Sequence, residues 1–461
     1  MSNQPLPNRW VIMQIVNLGT FMTTLDVGIV NLALPTMAYE FTTTLSYVQW
    51  VVTAYLLSMV ALLPILGKLS DRLDRRQIYS WGFFVFGIGS LLAAVATSLT
   101  TVIIARCVQG IGSAMVMANS QAMVRAIFPD HERGKALGTN TIVMSIGTLS
   151  GPAVGGFLME LGGWPLLFWI NVPLGVVGLY LGLRMFPQTE RSAQPLDVFG
   201  SLLLALATSL LLYASVVTEQ AGFTSTVIWM GTIGLLLIVV LLLYERKLEH
   251  GILDRVLYAN PYIGIGNLSA FLFYAAQMAS LIPITFYMQS VLQLSTQTTG
   301  LLLAIQPVFM GVMGPISGWC RDRYGARIPT TIGALLCTFA MLPVMIGNEV
   351  SMLDIIAYCS LFGLGTGLFL ASNNADIMGN APAAKASLVG SMLALIRYLG
   401  MIVGIALAVL LVGHLGGVAV DAAELAPKVR VLFSICALFA LILTGFSLMR
   451  PRKRSVPVKA T

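Results

Sequence analysis

The stretch WVVTAYLLSMVALLPILGKLSDRLDRR at residues 50–76 runs from an apolar segment directly into a cluster of charges. Its apolar part is long enough to cross a hydrocarbon core of ~30 Å as a helix. Fourteen apolar stretches of this kind follow one another along the chain, at residues 10–34, 46–67, 77–98, 101–124, 136–160, 164–186, 198–217, 226–244, 261–289, 298–319, 328–347, 352–378, 386–413 and 430–449. The sequence therefore predicts an all-α integral membrane protein with fourteen spans.

The positive charges alternate between the two sides of these spans. The N-terminus, every second loop and the C-terminal tail hold 22 of the 26 Lys and Arg residues, whereas the opposite loops hold only Lys428 and Arg430. Cytoplasmic loops of membrane proteins carry the excess of Lys and Arg. We therefore expect a bacterial-type cell (inner) membrane protein with both termini in the cytoplasm. The two remaining cations, Arg106 and Arg397, lie inside spans and become functional candidates.

Composition supports the same class of protein. The chain is 57% hydrophobic and 10% charged, with a mean hydropathy of +0.86, which is outside the range of soluble proteins. Its net charge of +7 is spread over loops and forms no single face for nucleic acid. The basic tail at 450–454 suits the anionic lipids of the inner leaflet. With no metal-ligand spacing among Cys and His and no Walker-type loop, we expect neither an enzyme nor a resident cofactor or metal.

The charged loop at residues 67–76 has a second copy at residues 318–327. Aligning the first glycines pairs Asp71 with Asp322, Arg72 with Arg323 and Arg76 with Arg327. The copies are eight spans apart, where two six-helix halves alone would place them six apart. We therefore expect an N-terminal six-helix bundle at 1–190, two additional transmembrane helices at 191–258, a C-terminal six-helix bundle at 259–449 and a basic cytoplasmic tail at 450–461.

Five segments, in order along the chain, carry motifs of one transporter family. They are Asp26-Val-Gly-Ile-Val-Asn31-Leu-Ala-Leu-Pro35, Gly67-Lys-Leu-Ser-Asp71-Arg72-Leu-Asp-Arg75-Arg76, Arg106-Cys-Val-Gln109-Gly110, Gly147-Thr-Leu-Ser-Gly151-Pro152-Ala-Val-Gly155-Gly156 and Asn171-Val-Pro173-Leu-Gly175. Together they resemble the major facilitator superfamily, and in particular its fourteen-helix drug:proton antiporter branch. In the second segment, Asp74 stands where the family usually has glycine.

The resemblance implies a major facilitator fold and a proton-coupled secondary transporter. It would export lipophilic or cationic drug-like compounds by alternating access. A more specific exporter of a lipid, a peptide or a siderophore in the same fold stays open as the alternative. The implied partners are a small-molecule substrate, protons and the lipid bilayer, and we expect a monomer.

Asp26 is the sharpest candidate for proton coupling. It lies ~15 residues into the first span, which places it ~22 Å from the cytoplasmic edge. A carboxylate at that depth is costly unless it is paired, hydrated or protonated, so it can load and release a proton. Arg106 lies at a similar depth in the fourth span and is its expected neighbour. The pair is either a coupling device or a fixed strut that neutralises a buried charge.

Two further motifs are candidates for moving parts. The glycines of the fifth span recur at helical spacing, and Pro152 kinks the helix; the stripe either packs helices closely or also seals the pathway against proton leak. This antiporter motif comprises Gly147, Gly151, Pro152, Gly155 and Gly156. The charged loops either are solvated or form a cytoplasmic gate, with Asp71 accepting from a helix N-terminus and pairing with a nearby Arg. The gate comprises Gly67, Asp71, Arg72, Arg76, Asp322, Arg323 and Arg327.

A third group of deep polar and aromatic residues is expected to line a substrate cavity between the halves, because buried amides and cations need partners. This group comprises Asn31, Tyr55, Gln109, Tyr274, Gln277, Gln306, Asn373, Asn374 and Arg397. Arg397 lies near the midplane without a carboxylate clearly level with it. It either bonds carbonyl groups at a helix end or faces the cavity.

Overall fold

The computed structural model is helical, and no strand occurs among the residues it describes. These residues are 8–43, 45–188, 197–245, 257, 259–294, 296–346, 350–382, 385–412 and 422–450. In chain order the helices are α1 (Arg9–Glu40), α2 (Leu45–Val48), α3 (Trp50–Arg72), α4 (Arg75–Ala94), α5 (Leu99–Ile127), α6 (Asp130–Gly162), α7 (Pro165–Trp169), α8 (Asn171–Met185), α9 (Val198–Ala221), α10 (Ser225–Glu245), α11 (Pro261–Ser290), α12 (Thr296–Tyr324), α13 (Arg327–Ile346), α14 (Met352–Asn380), α15 (Ala386–Val412) and α16 (Ala422–Met449). The predicted all-α membrane fold is confirmed.

The helices follow the predicted spans closely. Within the described part of the chain, thirteen helical segments are long and apolar enough to cross a membrane. The stretch predicted at 136–160 lies in α6, which is not among those thirteen. Fourteen spans therefore stay a prediction, with α6 as the additional candidate.

The helices form two bundles, each with buried apolar and aromatic side chains in its core. In the first, α1 packs against α5 and α6, and α4 packs against α5 and α8. In the second, α14 packs against α12 and α13, while α11 packs against α15 and α16. Aromatic rings fill both cores: Tyr79 meets Phe186 edge-on at 5.1 Å, and Phe273 stacks on Phe369 at 5.2 Å between ring centroids. Such pairs prefer these geometries and add to the burial of apolar area.

The two bundles meet along a small set of helices. The contacts join α6 to α12 and α14, and α15 to α3 and α5. Glycine makes the closest approaches possible: a Cβ at Gly138 would lie 2.7 Å from the carbonyl oxygen of Gly314, and one at Gly367 would lie 2.6 Å from that of Met310 within the second bundle. Backbones that close leave no room for side chains, so these positions fix the packing of the helices.

The two additional helices are not equivalent. Helix α9 packs against α3 and α15, one helix from each bundle, and its Tyr213 meets Trp50 at 5.4 Å between ring centroids. Helix α10 packs against α9 and exposes many large apolar side chains, including Leu235, Leu236 and Val239. A helix apolar all round suits a position in lipid. Helix α10 thus suits a lipid-facing position, whereas α9 packs against a helix of each bundle.

Candidate functional site

Asp26 lies at the centre of a fully buried polar cluster. Its Oδ2 accepts a hydrogen bond from Arg106 Nη1 at 2.7 Å, and neither side chain is exposed. Its Oδ1 accepts from Gln109 Nε2 at 2.8 Å and from Asn171 Nδ2 at 3.4 Å. The cluster joins α1, α5 and α8, so the three motif segments that carry these residues meet at one point.

The surroundings hold Arg106 firmly in place. Its Nε donates to the carbonyl oxygen of Val51 at 2.9 Å, and its guanidinium lies 4.2 Å from the ring centroid of Tyr55. A Cβ at Gly89 would lie 2.5 Å from the backbone nitrogen of Gln109, so this glycine allows α4 and α5 to approach. Charge-assisted hydrogen bonds and a cation–π contact stabilise the buried cation.

Two atoms of the cluster are left without a partner in the protein. They are Arg106 Nη2 and Asn171 Oδ1, both buried. A buried polar group without a hydrogen bond is costly, and a bound water is the usual remedy. These two atoms can therefore form further hydrogen bonds, either with a bound water or after a change in protonation of the cluster.

A chain of contacts leads from this cluster to the second bundle. Tyr55 Oη lies 2.7 Å from Ser113 Oγ, which donates to Met59 Sδ at 3.3 Å. Tyr398 Oη of α15 donates to the same sulfur at 3.6 Å, and Arg397 Nη2 donates to Tyr398 Oη at 3.4 Å. We call Tyr55, Ser113, Met59 and Tyr398 the connecting chain. It links the ring beneath Arg106 to Arg397 through contiguous side chains.

A cavity lies between the bundles at the end of this chain. It is partly open to solvent and is lined by α1, α5, α6, α11, α14 and α15. Three of the predicted cavity residues, Tyr274, Asn374 and Arg397, line it. Of the two alternatives for Arg397, the structure favours the cavity. The sequence interpretation missed further polar lining residues, among them Gln121 and Asn140.

The other predicted cavity residues lie elsewhere. Tyr55 and Gln109 belong to the Asp26 cluster because their helices turn them inward, away from the bundle interface. Asn373 accepts a hydrogen bond from Arg450 Nη2 instead. The described lining does not include Gln277 or Gln306. The side chain of Asn31 lies outside the described residues.

The antiporter motif of α6 packs closely against the turn of α1 that carries Asp26. A Cβ at Gly151 would lie 2.9 Å from the Cα of Gly28, and one at Gly147 would collide with Thr24 Oγ1. Thr24 and Gly28 stand two residues before and after Asp26. In the same motif Gly155 is buried and Gly156 half-buried, and the side chain of Pro152 lies outside the described residues. Close backbone packing is thus one role of the stripe.

Asp71 joins the two bundles on the side assigned to the cytoplasm. Its carboxylate accepts from the backbone N–H groups of Ser387 at 2.9 Å and Leu388 at 2.8 Å, in the first turn of α15. Arg75, four residues on, lies 2.7 Å away. A Cβ at Gly67 would collide with Ser391 of α15. A carboxylate at a helix N-terminus is favoured by the unpaired N–H groups and by the helix dipole.

Asp322 makes the equivalent contact in the second copy of the loop. It accepts from the backbone N–H groups of Gly134 and Lys135, both at 3.0 Å, in the second turn of α6. Arg321 lies 3.1 Å from its Oδ1. A Cβ at Gly318 would collide with the carbonyl group of Gly134. The repeat in the sequence thus corresponds to two similar contacts between the bundles.

The basic partners of these carboxylates differ from the predicted ones. Arg75 and Arg321 make the ion pairs, whereas Arg72 and Arg323 are exposed. The exposed guanidinium of Arg323 instead lies 5.6 Å from the ring centroid of Trp319, where water can solvate its charge. The i, i+4 spacing of Asp71 and Arg75 is a helical pair that could have identified the first partner. Nothing in the spacing singles out Arg321.

The remaining loop residues have local roles. Arg76 is half-buried in the first turn of α4, where its backbone N–H donates to Asp74 Oδ1 at 3.0 Å. Asp74, where the family usually has glycine, is thus the N-cap of α4. Arg327 is half-buried as the first residue of α13. A side-chain cap of this kind typically stabilises a helix by about 1 kcal/mol.

Arg450 was predicted to face lipid headgroups, and this was wrong. It is 2% exposed, and its Nη1 lies 3.3 Å from Asp376 Oδ2 at the end of α14. Burial lowers the pKa of Arg450 from its ordinary value, although the carboxylate of Asp376 opposes this shift. Arg125 of the first bundle reaches the same end of α14 and donates to the carbonyl oxygen of Met378 at 2.5 Å. Residues 451–461 lie outside the described residues.

A two-bundle membrane protein with a cavity between its halves and a buried ion pair beside it is a secondary transporter, not an enzyme. The sequence model described as Major Facilitator Superfamily matches residues 16–405 and 266–461. The chain belongs to the major facilitator superfamily, as the motifs predicted.

Individual relatives agree with this assignment. The chain is 34% identical to the riboflavin transporter RibZ of Clostridioides difficile over 404 residues, which cover 87% of this chain and 88% of RibZ. It is 30% identical to the multidrug resistance protein Stp of Mycobacterium tuberculosis over 395 residues, which cover 84% of this chain and 73% of Stp. The proton:xylose symporter XylE has the same fold, with a TM-score of 0.66 at 17% identity over 96% of each chain.

Proposed function

We propose that this transporter is proton-coupled and exports lipophilic, drug-like compounds from the cytoplasm of a bacterial-type cell by alternating access. The observation that carries the proposal is the fully buried Asp26, paired with Arg106 and connected by contiguous side chains to the cavity. Similarity to a multidrug resistance protein supports export as the direction. We place both termini in the cytoplasm, where the excess of Lys and Arg lies.

Protonation of Asp26 would change the whole cluster. A neutral carboxyl group no longer compensates Arg106, whose Nη2 already lacks a partner in the protein. The guanidinium, stacked on Tyr55, is then a buried charge without a counter-ion, and a shift toward other hydrogen-bond acceptors is favoured. Movement of Tyr55 is passed on to Tyr398 and Arg397 through the connecting chain. Because binding couplings are reciprocal, substrate at Arg397 would in turn favour proton release from Asp26.

Alternating access requires the cytoplasmic contacts to open. In this structure Asp71 joins the bundles on that side through the N-terminus of α15, and Asp322 joins them through backbone N–H groups in the second turn of α6. Each contact is a pair of charge-assisted hydrogen bonds, which can break without disturbing the core of either bundle. Opening them would admit substrate from the cytoplasm to the cavity.

The cavity does not support the cationic part of the expected substrate range. Its described lining contains Arg397 and several amides but no Asp or Glu. Asp26 is already paired with Arg106 and is not exposed. A cationic compound would therefore meet a like charge and no opposite one. We keep lipophilic compounds as the proposed class.

A narrower substrate is the second candidate. RibZ is a riboflavin transporter and is 34% identical to this chain. The cavity wall mixes the ring of Tyr274 with the amides of Gln121 and Asn374, which suits a flat compound with polar edges. A single heteroaromatic substrate is thus favoured over a lipid, a peptide or a siderophore as the alternative to broad drug export.

Proteoliposomes with an imposed pH gradient test the proton coupling. Transport of rhodamine 123, fluorescein and riboflavin is measured first, and each transported compound is then used with the variants. We expect Asp26→Asn to abolish gradient-driven transport and substrate-induced proton release, while the compound still binds. Glu160→Gln, which alters an exposed carboxylate of α6, is the matched control and should transport normally. Intact gradient-driven transport by Asp26→Asn would refute the proposal.

A further inference from the structure

Arg397 differs from four buried arginines that have an ion-pair partner. Four arginines each have a carboxylate within 3.3 Å: Arg75 with Asp71, Arg106 with Asp26, Arg321 with Asp322 and Arg450 with Asp376. Arg397 has no ion pair with any described residue. A cation held in the membrane interior without a counter-ion is expensive. Its charge therefore needs an explanation that the other four do not.

The contacts of Arg397 are weak and neutral. Nη2 lies 3.8 Å from Met117 Sδ and 3.4 Å from Tyr398 Oη, and the guanidinium lies 4.9 Å from the centroid of the Tyr398 ring. The hydroxyl group of Tyr274 is a further neutral partner. None of these groups compensates a full positive charge. The side chain is half-buried and lines the cavity, so its planar fork of donors is available to a ligand.

The rest of the wall indicates what such a ligand looks like. The ring of Tyr274 and the side chains of Met117, Met144 and Leu393 offer an apolar surface to a flat body. Gln121 also lines the cavity, and its Oε1 is buried without a partner. A ligand with a hydrogen-bond donor would satisfy this oxygen.

We propose that the cavity binds flat aromatic compounds that present acidic or carbonyl oxygens to Arg397. This inference rests on the proposed function, because it names the substrate class of the same cavity. A guanidinium binds two such oxygens side by side with charge-assisted hydrogen bonds. An acidic oxygen edge supplies the counter-charge that no described residue gives Arg397, and a carbonyl edge supplies hydrogen-bond acceptors with a partial negative charge. It also pulls on Tyr398, the member of the connecting chain closest to Arg397.

Two dyes with the same xanthene ring system and opposite charge provide the test. Fluorescein is an anion with a carboxylate, and rhodamine 123 is a cation. Equilibrium binding to the purified protein should be tighter for fluorescein. Arg397→Gln should weaken fluorescein binding at least about tenfold, because a charged hydrogen-bond donor is lost. The same variant should leave rhodamine 123 binding unchanged or improve it.

Two further variants control the interpretation. Arg397→Lys keeps the charge but not the planar fork, so fluorescein binding should fall between that of the unaltered protein and Arg397→Gln. Arg184→Gln removes an exposed arginine that contacts Tyr180 and should change neither dye. Thermal unfolding of each variant shows whether it is folded. If Arg397→Gln is folded and weakens both dyes equally, or if rhodamine 123 binds the unaltered protein more tightly, the proposal is wrong.

Riboflavin separates acidic from carbonyl oxygens. It is a neutral flat compound with a carbonyl edge, so Arg397-dependent binding would show that carbonyl oxygens suffice, and Arg397-independent binding would restrict the proposal to anions. If Arg397→Gln binds both riboflavin and fluorescein as tightly as the unaltered protein does, the proposal is wrong. Binding needs no pH gradient, so these results stand apart from the test of proton coupling. If Asp26→Asn still transports, the proposal of proton coupling through Asp26 is wrong. That result says nothing about the charge preference of the cavity.

Discussion

Asp26 and Arg106 illustrate how a single buried ion pair sets the properties of a site. Taking both charges out of water is costly, and their attraction offsets this cost only with good geometry and further hydrogen bonds. Gln109 and the carbonyl group of Val51 supply those bonds at 2.8 and 2.9 Å. The pair is therefore tolerated as a unit, and each partner alone is a liability.

This reasoning gives a prediction for stability. Arg106→Gln leaves the Asp26 carboxylate buried without its cation and should lower the free energy of unfolding by roughly 3–5 kcal/mol. The double variant Asp26→Asn/Arg106→Gln removes both charges and should recover a large part of that loss. Melting temperatures of the purified variants in detergent provide the measurement. A double variant no more stable than Arg106→Gln would show that the ion pair is not the reason for the loss.

Depth could be predicted from the sequence, but direction could not. Counting residues from the span ends placed Asp26 and Arg106 at one level, and the structure brings them within 2.7 Å. Counting residues does not give the rotation of a helix about its axis. Tyr55 and Gln109 were therefore assigned to the cavity lining, whereas they belong to the Asp26 cluster. Arg450 was misassigned because it begins a basic segment, although its own side chain turns back to Asp376.

At the scale of elements, the α1–α6 contact connects the antiporter motif to the proton-coupling candidate. Gly28 and Gly151 pack backbone to backbone, one turn from the centre of the Asp26 cluster. The sequence predicted a stripe of small residues on α6 because its spacing is helical. It could not name the opposing helix, since partner choice depends on how the whole bundle packs. The hydropathy of the spans, by contrast, was sufficient to predict the helices themselves.

A bulky residue in this contact should disturb the Asp26 cluster. In Gly151→Val the added carbons meet the Cα of Gly28, which cannot move aside like a flexible side chain. We expect a loss of roughly 1–3 kcal/mol in stability from overpacking, together with weaker substrate-induced proton release. Gly231→Val is the matched control, because a Cβ at Gly231 meets nothing within 4 Å. Normal proton release in Gly151→Val would limit the stripe to packing.

At the scale of the whole molecule, the internal repeat appears as two similar contacts between the bundles. Asp71 at the end of α3 reaches the N-terminus of α15, and Asp322 at the end of α12 reaches the second turn of α6. The repeat could be predicted from the loops, and the cytoplasmic position of both copies stays a prediction. The helices they reach could not be predicted, because those contacts are formed only when the two halves are brought together.

These two contacts should set the balance between conformations open to opposite sides. Asp71→Asn removes a negative charge from the N-terminus of α15, and Asp322→Asn removes one from two backbone N–H donors of α6. Each loss is worth about 1–2 kcal/mol, or roughly five- to thirtyfold in the equilibrium. Each variant should favour the state open to the cytoplasm, and the double variant should favour it further.

In a background with the five native Cys replaced, Met144→Cys reports access to the cavity, which Met144 lines. An impermeant maleimide applied from the cytoplasmic side should label it faster in both variants. Asp354→Asn is the matched control, because Asp354 also accepts from a backbone N–H, that of Ser351 at 2.8 Å, but within one bundle. Labelling that is equally fast in the control and in the two gate variants, or unchanged in all three, would show that these carboxylates do not hold the bundles together.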